Sequence, residues 1–334
     1  MSTSSSSSRD LRYNKKFNIK KFLSSWEMIL VYILIFLNIA LSVLETDIYF
    51  SYGTIQFILK SGMAISFMVL GMAQVLLLGD IDVSVASVMI LSSMTVGLVY
   101  QNTHSSVLAV LCGLLSGAVC GLINGLLTAK LKMPSVIVTI ATSMLFRGFA
   151  EIVLNGEVLS VYPKWFSVLS WQDFKGVIPY SLICFIVFAV IFGIVLHKTK
   201  FGRLIYTVGN AEKTARYSGV RVDIVRIAVF VIMGITAAVS GVFFAGRLGG
   251  ISSGMAKGYE LNVIAIAVLG GVSTNGGKGK IYGPVIAAFI MEFLTKTLDL
   301  IGVHANVQKI IIGFILLIAV MIPVINRKAS TKGR

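Results

Sequence analysis

Long uncharged runs alternate along this chain with short polar or basic segments. Crossing ~30 Å of hydrocarbon takes ~20 largely apolar residues in a helix, so each run predicts a transmembrane span. Met28–Leu44 and Ser61–Gly79 are the first two. From Val83 to Ala129 there is no Asp, Glu, Lys or Arg, and the polar break Gln101–Ser106 divides that stretch into spans three and four. The fifth runs from about Ser135 to Leu154 and contains Arg147 and Glu151. Ile178–Leu196 and Ile227–Gly246 are clean sixth and seventh spans. The eighth, about Leu261 to Ser273, is short and ends in glycines. The ninth, about Ile281 to Leu300, carries Glu292, Lys296 and Asp299, and Ile310–Ile325 is the tenth. The pattern predicts an all-α polytopic membrane protein of about ten helices, occupying residues 27–325.

Charge tests that count independently, because Lys and Arg in short loops mark the cytoplasmic side. The N-terminal arm (1–26) is basic. So are Lys130 and Lys132, the segment 198–226, Lys278 and Lys280, and the tail (326–334). These alternate connections hold 21 of the 29 basic residues. An even number of spans with both termini cytoplasmic fits. The serine-rich Met1–Asp10 reads as disordered, and the arm is too long, its apolar run likewise, for a signal peptide. Outside, the longest connection is 155–176, whose Trp165 and Trp171 suit an interfacial belt. A cap for a docked partner is the second reading of that segment.

Composition agrees. Of 334 residues 56% are hydrophobic and 13% charged, against ~25% charged in an ordinary soluble domain. The net charge of +15 would raise nucleic acid as a partner in a soluble protein. Its sidedness makes it a record of orientation toward membrane lipid instead. Cys112, Cys120 and Cys184 lie inside apolar runs with neither disulfide nor metal spacing. His104, His197 and His304 are scattered. The stretch Gly270–Gly279 looks like a phosphate loop, yet Val272 stands where the loop needs glycine and Gly279 where it needs Ser or Thr. No nucleotide site, cofactor or metal is therefore expected, nor any catalytic set for an enzyme.

Charges inside spans invite functional readings because burying them is costly. Arg147 and Glu151, and Glu292 and Lys296, are spaced i,i+4, so each pair could neutralise itself. Asp80 and Asp82 have no local basic partner. They could cap the next helix or border a substrate path. Small residues cluster at Ser116-Gly117-Ala118, Gly121, Asn124 and Gly125, and again from Ile235 to Gly241, which permits close helix approach. In the cytoplasmic loop 198–226, Asn210 suits an N-cap, Glu212 a first turn and Gly219 the position after a helix end. A two-turn helix there is a handle for another protein.

Those residues carry a resemblance. The run Gly202-Arg203 … Gly209-Asn210-Ala211-Glu212-Lys213-Thr214-Ala215-Arg216-Tyr217-Ser218-Gly219-Val220 resembles the coupling loop of permeases in the ribose-type sugar ABC importer family. Three further stretches agree in order: Asp80–Val85; Asn124-Gly125 through Lys132–Thr139 to Arg147-Gly148; and Gly258–Leu261 through Leu269–Gly271 to Gly276-Gly277. Two positions depart: Asp80 follows Gly79 where the family has Gly-Gly, and Ala86 replaces Gly. The Asp-Ile-Asp-Val-Ser-Val-Ala-Ser form resembles the rhamnose-type or autoinducer-2-type branch. The resemblance implies a permease fold in the bacterial inner membrane. It implies a second permease subunit (a copy or a paralogue), a cytoplasmic ABC ATPase and an extracytoplasmic sugar-binding protein as partners. It makes Asn210, Glu212, Ala215, Arg216 and Gly219 the candidate ATPase-coupling residues. The candidate translocation path takes Asp82, Ser84, Asn124, Thr139 and Asn262. An ion-coupled secondary transporter or channel is the alternative.

Overall fold

A computed structural model describes residues 52–304 without a break, residues 306–314 and 317, and positions 28, 29, 31, 32, 35 and 39. The N-terminal arm, the C-terminal tail and most of the first and tenth spans lie outside the described residues.

Six helices are long and apolar enough to cross a membrane among the described residues. They are α1 (Tyr52–Leu77), α2 (Val85–Thr103), α3 (Ser106–Ala129), α4 (Ser135–Leu154), α6 (Tyr180–Lys198) and α9 (Val222–Leu248). Between α4 and α6 lie the short helix α5 (Lys164–Trp171) and a hairpin of β1 (Asp173–Phe174) with β2 (Ile178–Pro179). The basic loop before α9 folds into α7 (Lys200–Asn210) and α8 (Glu212–Tyr217). After α9 come α10 (Tyr259–Leu269) and α11 (Tyr282–Leu300).

Two spans outrun their charge-free stretches, because partners found elsewhere in the chain neutralise the charges. Helix α1 begins nine residues before Ser61 and includes Lys60, whose ammonium meets Asp173 of the hairpin at 2.8 Å. Helix α9 begins five residues before Ile227 and includes Arg226, which pairs with Asp80. The break between α2 and α3 falls at His104 and Ser105. His104 takes a left-handed turn and the Ser105 hydroxyl accepts from the Leu108 amide. The eighth span contracts to the 11 residues of α10. At 1.5 Å per residue it covers about 16 Å, half a bilayer. The irregular segment 249–258 leads into it, and backbone of that kind must be held by protein where it meets membrane. Arg147 does so, donating to the carbonyls of Ser253 and Met255, while Glu151 accepts from the Ser253 hydroxyl.

That contact corrects one expectation, since Arg147 and Glu151 serve this segment rather than each other. The second i,i+4 pair is corrected too: Lys296 bonds Asp299 at 2.8 Å, and Glu292 Oε1 is buried without a hydrogen-bond partner.

Helices α1 and α9 form the centre. Phe67 of α1 stacks on Phe243 of α9 at 4.6 Å and meets Phe185 and Phe188 of α6 edge-on. Beside them α3 lies against α9 with main chain touching main chain. A Cβ at Gly121 would sit 2.2 Å from the Phe230 carbonyl oxygen, and one at Gly234 would sit 2.0 Å from that of Gly117. Without a water-driven force between helices, such close packing is what holds a membrane bundle together. The opposite faces of α3, α4 and α6 expose Leu111, Leu115, Met144, Ile152 and Val190, as lipid contact requires.

At one end of the bundle α5 lies over the helices. Phe166 is buried, Ser170 Oγ donates to the Phe243 carbonyl at 3.1 Å, and Trp171 Nε1 donates to that of Arg247 at 3.0 Å. Both tryptophans remain more than one-third exposed, Trp165 at 38% and Trp171 at 39%, with room to meet an interface.

Candidate coupling and translocation sites

The loop between α6 and α9 is amphipathic in its first half. Ile205 and Val208 of α7 are buried, and Thr199 caps the helix by accepting from the Gly202 amide. Asn210 therefore ends α7, which corrects its assignment as an N-cap; Ala211 occupies that position for α8. Gly219 has φ of 81° just beyond the end of α8, the left-handed conformation expected there.

Five charged groups chain α8 to the bundle. Arg226 Nε donates to Asp80 at 2.8 Å and its other arm to Glu212 at 2.9 Å. Glu212 in turn accepts from Arg216 at 3.2 Å, and Arg216 also bonds Asp223. The outer links are exposed and each contributes little, ~0–1 kcal/mol. The Asp80–Arg226 link is different, because both side chains are about nine-tenths covered (11% and 12% exposed). Burial pushes the Asp80 carboxyl up against the pull of Arg226. Glu212 also feels burial, but its bonds to Arg226 and Arg216 prevail and hold it below the usual carboxylate range. The segment that resembles a coupling element is thus tied electrostatically to the loop joining α1 and α2.

A second tie uses main chain alone. The Gly277 amide donates to the Leu77 carbonyl at 2.8 Å. A Cβ at Gly209 would lie 1.8 Å from that same oxygen, and one at Gly277 would lie 2.3 Å from Asn210 Oδ1. The glycine-rich stretch 270–279 is therefore a clasp closing over the C-terminal end of α1 and the end of α7. Tyr206 secures it by donating to the Gly279 carbonyl at 2.7 Å.

In and beside α8 the candidate residues divide. Ala215 is buried, whereas Glu212 and Arg216 face the ion-pair chain and Gly219 stands in open space. Tyr217 is 91% exposed. No sequence argument singled it out, since a tyrosine in a polar loop carries no periodic signal.

Of the candidate path residues, four are brought together. The Asp82 carboxylate accepts from the Ser84 amide at 2.8 Å and hydroxyl at 2.7 Å. Asn124 Nδ2 donates to Ser84 Oγ at 2.8 Å, and Asn124 Oδ1 accepts from Thr142 at 2.7 Å. Thr139 accepts from the Val83 amide at 3.1 Å, and Ser135 from that of Ile81. Asp82, Ser84, Asn124 and Thr139 are all buried. They knit the α1–α2 loop to α3 and α4. Asp82 thus serves the residue before α2 rather than the helix's first-turn amides. Asn262 stands apart on α10, lining a cavity of about 120 Å³ with Glu292 and Arg247.

Burial pushes the Asp82 carboxyl up to about 6 despite its bonds from Ser84. A raised acid holds its proton in the folded state at pH values where the unfolded chain has lost it. Its contribution to stability is therefore present at low pH and lost as pH rises toward 6. Asp82→Asn is expected to remove this loss, so its melting temperature relative to the parent should rise between pH 4 and 6 and level off above. An unchanged difference across that range would contradict the burial argument.

Comparison with known proteins places this architecture. A family described as branched-chain amino acid transport system / permease component matches residues 54–320. The L-arabinose ABC transporter permease of Azospirillum brasilense is 35% identical over 294 residues, 88% of this chain and 86% of that protein. The ribose import permease of Bacillus subtilis is 35% identical over 78% of this chain and 80% of that protein. The autoinducer 2 import system permease LsrC of Photorhabdus luminescens is 33% identical, with 83% of both chains covered. No solved structure matches. The family description names amino acids, whereas these relatives are named for L-arabinose, ribose and autoinducer 2. The chain belongs to this permease family and is a multi-pass membrane transport protein.

Proposed function

We infer that this chain is the transmembrane subunit of an ABC importer for a simple sugar of the arabinose or ribose kind. It works by alternating access in the bacterial inner membrane. A separate cytoplasmic ATPase drives it, an extracytoplasmic binding protein delivers the sugar, and a second permease subunit completes the pathway. Ten helices with both termini cytoplasmic is the topology that fits the distribution of basic residues. The observation that carries the reading is α8, a short helix at the tip of the basic loop, linked through Glu212, Arg226 and Asp80 to the first two helices of the described bundle.

In this arrangement Tyr217 is the group that enters the ATPase surface. Exposed tyrosines are favoured anchors in protein interfaces, and this one is free of the ion-pair chain that fixes its neighbours. Tyr217→Ala is expected to weaken ATPase association at least tenfold in a pull-down from membranes while leaving insertion of the chain unchanged. Glu212→Arg combined with Gly219→Pro should abolish association, and unchanged assembly in both variants would exclude α8 as the docking element.

The reading as a whole is tested in proteoliposomes. Uptake of D-ribose or L-arabinose should require ATP, the ATPase and the binding protein together. ATP-independent, ion-driven uptake by the chain alone would overturn it in favour of a secondary transporter.

A further inference from the structure

The cavity bearing Asn262 lies between α1, α10 and α11, with Arg247 from the external end of α9 at its edge. On the orientation inferred above it sits in the outer half of the membrane. Its volume of about 120 Å³ is several times the ~10–15 Å³ that one water needs. That exceeds what a bare ion needs and leaves room for a small polar molecule.

Its walls are of two kinds. Ile65, Ile266, Met291 and Ile312 form an apolar side. The polar side is unusual in what it leaves unpaired. Glu292 Oε1 is shut off from solvent and has no hydrogen-bond partner, although buried polar atoms almost always find one. Among the described residues, neither the Glu292 carboxylate nor the Asn262 side-chain amide has a hydrogen-bond partner. The nearby cations are already engaged: Lys296 with Asp299, and Arg247 with the Ser61 carbonyl. The bundle also makes room for the carboxylate, since a Cβ at Gly62 would lie 1.6 Å from the Glu292 carboxyl carbon.

A buried carboxylate offers acceptors only, whereas an amide offers donors and an acceptor. Sugar hydroxyls donate and accept at once, so they can satisfy both groups. The C–H face of the same ring matches the isoleucine side.

We propose that this cavity is a monosaccharide-binding station within the membrane domain, where Glu292 accepts from and Asn262 bonds to sugar hydroxyls. The proposal rests on the reading of the chain as a sugar permease. It separates the place where the sugar pauses from the Asp82–Asn124 cluster, which is closed by its own hydrogen bonds.

The test uses the intact transporter, this chain with its ATPase and binding protein, in proteoliposomes supplied with D-ribose and L-arabinose. ATP hydrolysis, sugar uptake and detergent melting temperature are measured on the same preparations. Asn262→Ala and Glu292→Gln are expected to keep basal ATP hydrolysis and melting near the parent values while sugar imported per ATP falls at least fivefold. Glu292→Asp should recover part of that loss. If Glu292→Gln does not fold, the smaller change Asn262→Ala carries the test. Unchanged uptake per ATP in Asn262→Ala would overturn the proposal while leaving the importer reading intact. Loss of a sodium or pH dependence of uptake in Glu292→Gln, with Asn262→Ala unaffected, would assign the cavity to a cation instead. Failure of the parent transporter to import either sugar with ATP would sink the importer reading and the proposal with it.

Discussion

Arg226→Met is expected to uncouple this permease more severely than any other single change around the α7–α8 loop. The substitution keeps an unbranched stem and removes the charge that two carboxylates share. Asp80 is then left as a buried, unpaired carboxylate. Removing one member of a buried pair typically costs about 3–5 kcal/mol, and Asp80 is covered well enough for the lower end of that range. Asp80→Asn alone should cost less, because an amide can remain beside the guanidinium without a stranded charge. The informative variant is the double one. If the pair acts as a unit, Asp80→Asn with Arg226→Met should be more stable than Arg226→Met by itself. Simple additivity of the two costs would show that the link is incidental. Function should fall further than stability, since Arg226 also holds Glu212 of α8. ATP-driven uptake is therefore expected to drop at least tenfold even where the protein still inserts and melts cooperatively.

Gly121→Val is expected to prevent the bundle from assembling. Overpacking a protein interior typically costs ~1–3 kcal/mol when neighbouring side chains can yield. At Gly121 the neighbour is the Phe230 carbonyl, 2.2 Å from where the Cβ would lie, and main chain inside α9 cannot move aside without moving the helix. The expected cost is at or above the top of that range, read as a yield of monodisperse protein below one-tenth of the parent. Gly148→Ala is the control, because nothing lies within 4 Å of the Cβ it would add. Equal yields of the two variants would mean that α3 and α9 are not in close contact in the membrane.

Most of the helical plan was legible because its cause is one-dimensional. A run of apolar residues must be buried in lipid or protein wherever it falls in the fold, so Ser135–Leu154 matches α4 end to end. The errors have a common origin in partners distant along the chain. Lys60 and Arg226 looked like span boundaries because Asp173 and Asp80 are 113 and 146 residues away. Arg147 and Glu151 looked like each other's partners because i,i+4 spacing shows only the local option, while the carbonyls of segment 249–258 outcompeted it. In the candidate sites, the polar letters of Asp82, Ser84, Asn124 and Thr139 announced a cluster without its topology. The i,i+4 spacing pairs Glu292 with Lys296. Its true environment depends on Gly62 of α1 and on Asp299 capturing Lys296, neither of which spacing alone reveals.

The clasp over Leu77 has an implication for how such junctions are encoded. Gly209 and Gly277 contribute to it by the side chains they lack, and the bond from the Gly277 amide to the Leu77 carbonyl runs between backbone atoms. The information specifying the joint is therefore subtractive. It has no charge, no hydropathy and no shape of its own that a reader of letters could weigh. It also gives the joint an unusual economy of parts: two absent side chains and a backbone bond make the contact, and the Tyr206 hydroxyl holds it closed.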